Sequence, residues 1–470
     1  MKMQWDAGGV RALNDKEIDA ILAAAFEILE KAGVQVENDK MLRKFAESST
    51  EVDFASKRVF FCKSFVEKYL AGIDKTKIIP RDLEFTASAE IYQGYFLDPE
   101  DDKFKEWNEE RLLKYVKAAR GLKNISGIYM LGCPLIEIPP NMQPLYEKLY
   151  CWKYGISGGN AIWDISMCGP IHEMFEVYAA ETGKNIRDLF NGTVYIISPL
   201  KLGSVEAEQF VYFYERGLRV HVGANGSLGG GYPVTLAGGL ATHLAEILFV
   251  GILNHTFFGE NNLDMGCSVS VTDMSTGALQ YGRPEKSIAN IAMAQIARRI
   301  GVWFGGHSGL SDAKVPGSEA GVQKAMSTIF TAMACGHANI AAGLLSTDEV
   351  FSPVQMIIDD EITGTLKRIA QGMEVSKETI GLETILEEGP GGSFIATDHT
   401  AENFRSSLWM PAIWSKTMFN MWDADGRRND IDKAREKYFS LTCDSKPLEL
   451  RISEDCEKRL MKIISEVHKK

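Results

Sequence analysis

Between residues 127 and 344 the chain repeats one alternation seven times. A short apolar run that reads as a buried strand is followed by a stretch whose apolar positions recur at three and four, as on one face of a helix. The strand runs are 127–134, 160–166, 193–199, 218–226, 263–269, 301–306 and 337–344, and the helical stretches are 143–154, 171–181, 204–216, 235–253, 286–300, 319–334 and 353–371. Parallel strands joined by helices cross over in one hand, with the helices covering the sheet. With this many units the sheet closes naturally on itself, so the predicted fold class is α/β, a (β/α)8 TIM barrel. The eighth strand is placed at residues 393–397, SFIAT. The structural rival is a doubly wound open sheet, but no strand runs into a G-x-G-x-x-G turn, and the glycine run at 226–231 lacks the acidic partner such a turn requires.

Both ends read as additions to this unit. In the amino-terminal extension, taken as residues 1–107, Asn14 can cap a helix whose apolar positions are Ile18, Ile21, Leu22, Ala25, Phe26 and Leu29. Residues 77–97 alternate as strands of a hairpin or small sheet, and 108–121 is again helical. The barrel is assigned to 108–400 and a helical, lysine-rich tail to 401–470.

Several function classes fall away on composition. The net charge of -12 and pI near 5.3 oppose a nucleic-acid partner, which needs a basic face. The eight cysteines form no C-x-x-C pair and lie mostly in apolar runs, which suggests reduced thiols in a cytoplasmic protein. The first residues lack the apolar core of a signal peptide, and residues 235–253, interrupted by Gly238, Gly239, Thr242, His243 and Glu246, read as a core helix with no role in a membrane. No H-x-x-x-H or zinc-type spacing occurs, so no protein-held metal is expected. The G-x-S-x-G at 155–159 follows a helix and enters a strand, the reverse of a nucleophile elbow. The acidic run Asp359, Asp360 and Glu361 is read as a solvated helix face.

Parallel α/β folds place their chemistry just past the carboxyl ends of the strands. The residues expected there combine aromatic rings (Tyr95, Trp163, Trp303, Phe304, Phe351), carboxylates (Asp164, Glu260, Asp264, Asp312, Asp348), histidines (His221, His307, His337) and many glycines. Aromatic faces with a few carboxylates suit a quaternary ammonium ion, held by cation–π attraction. Trp303 and Phe304 can equally pack barrel against helix, and His221 and His337, inside apolar strands, can be satisfied core histidines. His307 lies outside its strand in a polar loop, where a functional role is the better reading. Asp164 and Asp264 sit in apolar sequence, so each needs a partner or a polar site to face. Lys314 can grip an anion or cap its loop.

With these residues in view the chain resembles the trimethylamine methyltransferase superfamily, corrinoid-dependent methyltransferases of TIM-barrel fold. The motifs that carry the resemblance are GGHSGLSDAKVPGSEAG (305–321), GLLSTDEVFSPVQMIIDDEI (343–362) and GGSFIATDHTAENFRSSLWMPAIW (391–414), followed by Trp422, Asp425-Gly426 and KAREK. All residues are standard amino acids, so the resemblance is to the branch without pyrrolysine, whose members demethylate quaternary amines such as glycine betaine, proline betaine, carnitine or γ-butyrobetaine. It implies transfer of a methyl group from such an amine to the Co(I) corrinoid (cobalamin) of a small cognate corrinoid protein, and a homo-oligomeric, cytoplasmic enzyme with neither nucleic-acid nor membrane partners. The substrate-side residues expected are Tyr95, Trp163, Asp164, Glu260, Asp264, Phe304, His307, Asp312, Lys314, His337 and Phe351. Gly223, Asn225, Gly226, Gly305, Gly306 and Ser308 are expected toward the corrin, and no catalytic side chain is assigned because cobalt is the nucleophile. Alternatives are a barrel that binds a quaternary amine or corrinoid without turnover, and a barrel enzyme acting on another small polar substrate.

Overall fold

The computed structural model describes residues 9–48, 50–75, 82–443 and 446–469. Its centre is a succession of eight strand–helix units. The strands are β1 Glu84–Ile91, β2 Ile125–Met130, β3 Ser157–Gly158, β4 Thr193–Ile196, β5 His221–Ala224, β6 Met265–Cys267, β7 Phe304–Gly306 and β8 His337–Ala342. An amino-terminal helix, α1 Asp15–Glu27, precedes them. The helices that follow the strands are α2 Glu109–Arg120, α3 Gln143–Tyr154, α4 Cys168–Thr182, α5 Ser204–Tyr214, α6 Leu236–Phe258, α7 Pro284–Ile300, α8 Ser318–Cys335 and α9 Pro353–Ala370. The architecture is therefore α/β, with every pairing among the eight central strands parallel.

The central strands fall into three hydrogen-bonded groups, β8-β1-β2-β3, β4-β5 and β6-β7. Single backbone bonds span two of the gaps between groups: Thr193 N–H donates to Asn160 O at 3.0 Å, and Ala341 N–H donates to Gly309 O at 3.2 Å. Just past β5, Ser270 N–H donates to Gly226 O at 3.1 Å. Gly309 (φ +71°) makes the β7–β8 approach possible, because a Cβ there would lie 2.4 Å from the Ile340 Cα.

Two strand expectations are corrected. Residues 393–397 hold no strand; they form an exposed single turn, Phe394–Ala396. The eighth central strand is instead Glu84–Ile91, which the sequence reading left in a peripheral hairpin; Lys77–Arg81 of that hairpin lie outside the described residues. The reason is which way the polar face turns. Phe85, Ala87, Ala89 and Ile91 are buried against the helices, while Ser88 and Glu90 point inward, where they bond each other and Asn339 of β8. Likewise 160–166 is not a strand: pairing ends at Gly158, and Ile165–Met167 is a helical turn capped by Asp164.

Helix limits follow local chemistry. Asn14 forms a full capping box with Glu17, Asn108 caps α2 and Ser352 caps α9, while left-handed glycines 155, 183, 259, 301 and 336 end α3, α4, α6, α7 and α8. Helix α6 is the apolar 235–253 segment, extended to Phe258. It is long and apolar enough to cross a membrane by composition, and most of it lies buried in the protein core. Leu244, Leu248, Phe249, Ile252 and Leu253 are wholly inaccessible, each contributing about 1.5–3 kcal/mol at most. The amino-terminal segment is tied on by Gln295 of α7, whose amide accepts from Ala12 N–H and Leu13 N–H and donates to Leu13 O.

The acidic run is not solvated. Asp359, Asp360 and Glu361 are all buried, and each holds a different segment in place. Asp359 pairs with the buried Lys324 at 2.7 Å and accepts from Gly343 N–H; Asp360 accepts from Asn124 N–H; Glu361 accepts from Ala412 and Ile413 N–H. One turn of α9 thus clamps α8, the entry to β2 and the carboxyl-terminal segment, which explains why three carboxylates tolerate burial.

Candidate functional site

A chamber of about 740 Å³ opens at the carboxyl ends of the central strands. Tyr92 follows β1, Leu131 follows β2, Asn225 follows β5, Ser268 follows β6 and His307 follows β7, and all of them line it. Its lining combines two kinds of chemistry.

Tyr92, Tyr195 and Tyr281 line the chamber together with the carboxylates of Glu90 and Asp348. Burial, then the Asp348 carboxylate, raises Tyr92 and Tyr281, the latter to about 12, while burial alone raises Tyr195. All three rings are therefore neutral, π-faced surfaces across the physiological range. Glu90 is raised by burial, partly opposed by its Ser88 and Asn339 hydrogen bonds, and Asp348 is raised by burial and by neighbouring Glu349. Asp348 is aimed by a strained turn. Ser346 (φ +52°) and β-branched Thr347 (φ +71°) both lie in the left-handed region, and the turn is pinned by Ser346 N–H to Ala313 O, Thr347 N–H to Ser311 O and the Thr347 hydroxyl to Leu279 O.

His307 stands edge-on to Tyr281, their ring centroids 5.4 Å apart. Its Nδ1 accepts from the Lys286 ammonium at 3.2 Å, with Ser268 Oγ at 3.4 Å, which leaves the ring proton on Nε2. Ser268 Oγ in turn donates to Asn225 Oδ1 at 3.0 Å. Lys286 is 1% exposed, and its ammonium sits 4.7 Å from the centre of the Tyr281 ring. Burial pulls Lys286 down to about 8, against the opposing charges of Cys267 and Asp312, and burial beside that lysine holds His307 well below its usual value. A buried cation whose nearest hydrogen-bonding side chain is a neutral imidazole favours an anion arriving at the chamber.

Of the residues expected at the site, the chamber gathers Asp264, His307, Gly223, Asn225, Gly305 and Gly306, together with Asp348. The others stand elsewhere. Tyr95 and Trp163 line an outer cleft. Asp164 is exposed and caps its turn through Ser166 N–H, and Glu260 pairs with Arg219 at 3.1 Å near the amino ends of the strands. Phe304 is buried core, and Phe351 packs among Phe96, Trp107 and Tyr115. Asp312 accepts from Tyr281 N–H and Gly282 N–H, so it shapes the loop that carries Tyr281. Lys314 is exposed, and His337 stacks on Trp303 at the opposite end of β8. Ser308 is buried and donates to Asn339 O, and Gly226 is covered by the Tyr232 ring. His221, half-expected in the core, is exposed at the start of β5. Glycines 223 and 305 make room for the rings of Tyr195 and Trp303, so local packing already accounts for them.

The wall offers no activated nucleophile of its own. Burial lifts the Cys267 thiol to about 11, His307 Nδ1 is occupied, and Lys286 is protonated at neutral pH. Among the described residues no group of three or more His, Cys, Asp or Glu gathers as a metal site.

The sequence model of the trimethylamine methyltransferase (MTTB) family matches residues 167–463. The chain is 26% identical to trimethylamine methyltransferase MttB of Methanosarcina thermophila, over 94% of this chain and 95% of that protein. It is 23% identical to MttB of Desulfitobacterium hafniense (92% and 89%) and 24% identical to a glycine betaine methyltransferase from strain Y51 of that species (87% and 88%). The solved monomethylamine methyltransferase MtmB of Methanosarcina barkeri superposes with a TM-score of 0.44 at 12% identity, over 94% of this chain and 95% of that one.

Proposed function

The chain belongs to the trimethylamine methyltransferase family, and from that membership we propose that it moves a methyl group from a quaternary amine of the betaine class to a corrinoid carried by a partner protein. One observation carries the choice of substrate: the chamber brings phenol rings and carboxylates together with a histidine backed by a buried cation. An onium ion has no proton to donate, so it is held by ring faces and charge, about 0.5–2 kcal/mol per ring. Its carboxylate would accept from His307 Nε2–H, with the Lys286 charge behind it. A simple tertiary amine would leave that histidine unused.

A bound corrinoid supplies a Co(I) nucleophile for the in-line displacement. The chain's own residues orient the onium, exclude water and keep their own nucleophiles protonated or occupied, and orientation of this kind lowers a barrier by up to about 7–11 kcal/mol. The positive charge fades as the methyl leaves, so an over-strong grip on the cation would slow the step. The raised carboxyl groups of Glu90 and Asp348 moderate that grip.

The eight strands are read as one closed ring, supported by the backbone bonds between Thr193 and Asn160 and between Ala341 and Gly309. On that reading the amino-terminal extension ends before β1 and the barrel unit runs from residue 84 to about 370. The carboxyl-terminal segment supports a homo-oligomer. Helices Lys377–Ile380, Leu382–Glu388, Asp398–Ser407 and Phe419–Ala424 bury no residue, and Ile395 is 86% exposed. Helices so short are marginal without a constant partner, which a second copy provides. To test the activity, the protein is mixed with Co(I) cobalamin and a panel of quaternary and tertiary amines. Methyl-Co(III) absorption is expected with betaines, whereas methylation by trimethylamine alone would refute the reading.

A further inference from the structure

A second pocket of about 400 Å³ adjoins the chamber and shares Tyr92, Leu131 and Tyr195 with it as a common wall. Its far side is formed by Asn160, Trp163, Glu206 and Gln209. Three observations mark it as a built site. Gln209 is 2% exposed, and its Nε2 has no hydrogen-bond partner. A buried amide left in that state costs about 1–3 kcal/mol, so the fold holds a donor in reserve. At the rim, Trp163 sits at φ +61°, a conformation that bulky side chains rarely adopt, and is held 43% exposed.

The third observation is the rigidity of the wall between them. Gly159 N–H donates to Glu147 Oε1 (3.1 Å), Lys148 Nζ to Ala161 O (2.6 Å), Asn191 Nδ2 to Gly158 O (2.7 Å) and Thr193 N–H to Asn160 O (3.0 Å). Glu147 and Lys148 are both inaccessible to solvent. A loop bound from four directions does not shift to satisfy Gln209, which leaves its amide for a group that enters the pocket.

The lining names the chemistry of that ligand. No cationic side chain borders the pocket, and one carboxylate, Glu206, does. An anionic arm would meet repulsion without compensation. Glu206 and Gln209 lie three apart on α5, on one helix face, and offer an acceptor beside a donor. The group that satisfies both is neutral and able to accept and donate at once. We propose that this side pocket receives an uncharged hydroxyl or carboxamide arm of the substrate, with Gln209 as a specificity-determining residue; the proposal rests on the onium reading above.

Carnitine and γ-butyrobetaine make a matched pair that differs by one hydroxyl. Their dissociation constants are measured by calorimetry on the full chain without corrinoid, with tetramethylammonium as a third ligand. Carnitine is expected to bind about three- to tenfold more tightly, the range of one net hydrogen bond. In Gln209→Leu and in Glu206→Gln, checked for folding by circular dichroism, that ratio should shrink toward one. Equal affinities in the wild-type protein, which need no variant, or a ratio that survives both substitutions, overturn the side-pocket proposal and leave the onium reading standing. Failure of all three ligands to bind overturns both.

Discussion

Replacing Lys286 with methionine tests the argument most directly, because the structure assigns the lysine a cost to the fold and a benefit to binding. The ammonium is buried, and lowering its pKa from 10.5 to about 8 corresponds to a penalty of about 3 kcal/mol for keeping it charged. The groups around it are His307, which accepts its hydrogen bond, and His243, Cys267 and Asp312, with Asp312 already engaged by two backbone N–H groups. Methionine keeps the bulk and loses the bond to His307 Nδ1 and the contact with Tyr281, together roughly 1 kcal/mol. At pH 7 Lys286→Met should therefore be about 1–2 kcal/mol more stable than wild type. The folded pKa of this base is depressed, so the penalty is full below about 8 and gone by about 10.5, where the unfolded lysine also loses its proton. At pH 10.5 the order should invert, with the variant about 1 kcal/mol less stable. Urea unfolding at the two pH values reads the crossing, and calorimetry should show betaine affinity falling about tenfold or more in the variant. A variant less stable by more than about 1 kcal/mol at both pH values would mean that the fold already compensates the charge, and the anion-receiving role would be lost with it.

Three further outcomes follow. Tyr195→Phe should bind a tetraalkylammonium ion nearly as wild type does, while Tyr195→Leu should lose about three- to thirtyfold by calorimetry, because the ring face does the binding. Glu90 has a raised pKa, so as pH falls through it protonation should weaken onium binding while adding stability; Glu90→Gln should flatten that portion of both profiles, read by calorimetry and urea unfolding. Ile395→Asp on the exposed carboxyl-terminal segment should shift the sedimentation coefficient toward the monomer, and an unchanged value would remove the case for a second copy there.

The alternation of strand and helix was legible because burial on both faces leaves a continuous apolar run, as in β8. Strand β1 was not, since Thr86, Ser88 and Glu90 imitate a solvent face while Ser88 and Glu90 bond inward to Asn339. Missing β1 hid Tyr92, the residue that follows it. The place of His307, Asn225 and Asp264 in the chamber lining was legible because a polar residue at or beside a buried strand stands out. Lys286 and Tyr195 were not, since a lysine near a helix start reads as solvated and a tyrosine inside an apolar run reads as packing. Aromatic rings and carboxylates do line the chamber, whereas Tyr95 lies in another cleft and Phe351 packs in the core. The acidic run on α9 was misread because its partners lie far off in sequence, at Lys324, Asn124 and Ala412.

The two faces of β1 carry separate duties. Phe85, Ala87, Ala89 and Ile91 press outward into the helical shell, and cohesion comes from them; Ser88 and Glu90 on the inner side contribute little to it. Exchanges on the inner side that keep an acceptor for the Asn339 amide can alter which small molecule is accepted while the outer packing stays in place. Descendants of one ancestral gene could in this way diversify their diets by a handful of interior replacements while the outer architecture is inherited unchanged.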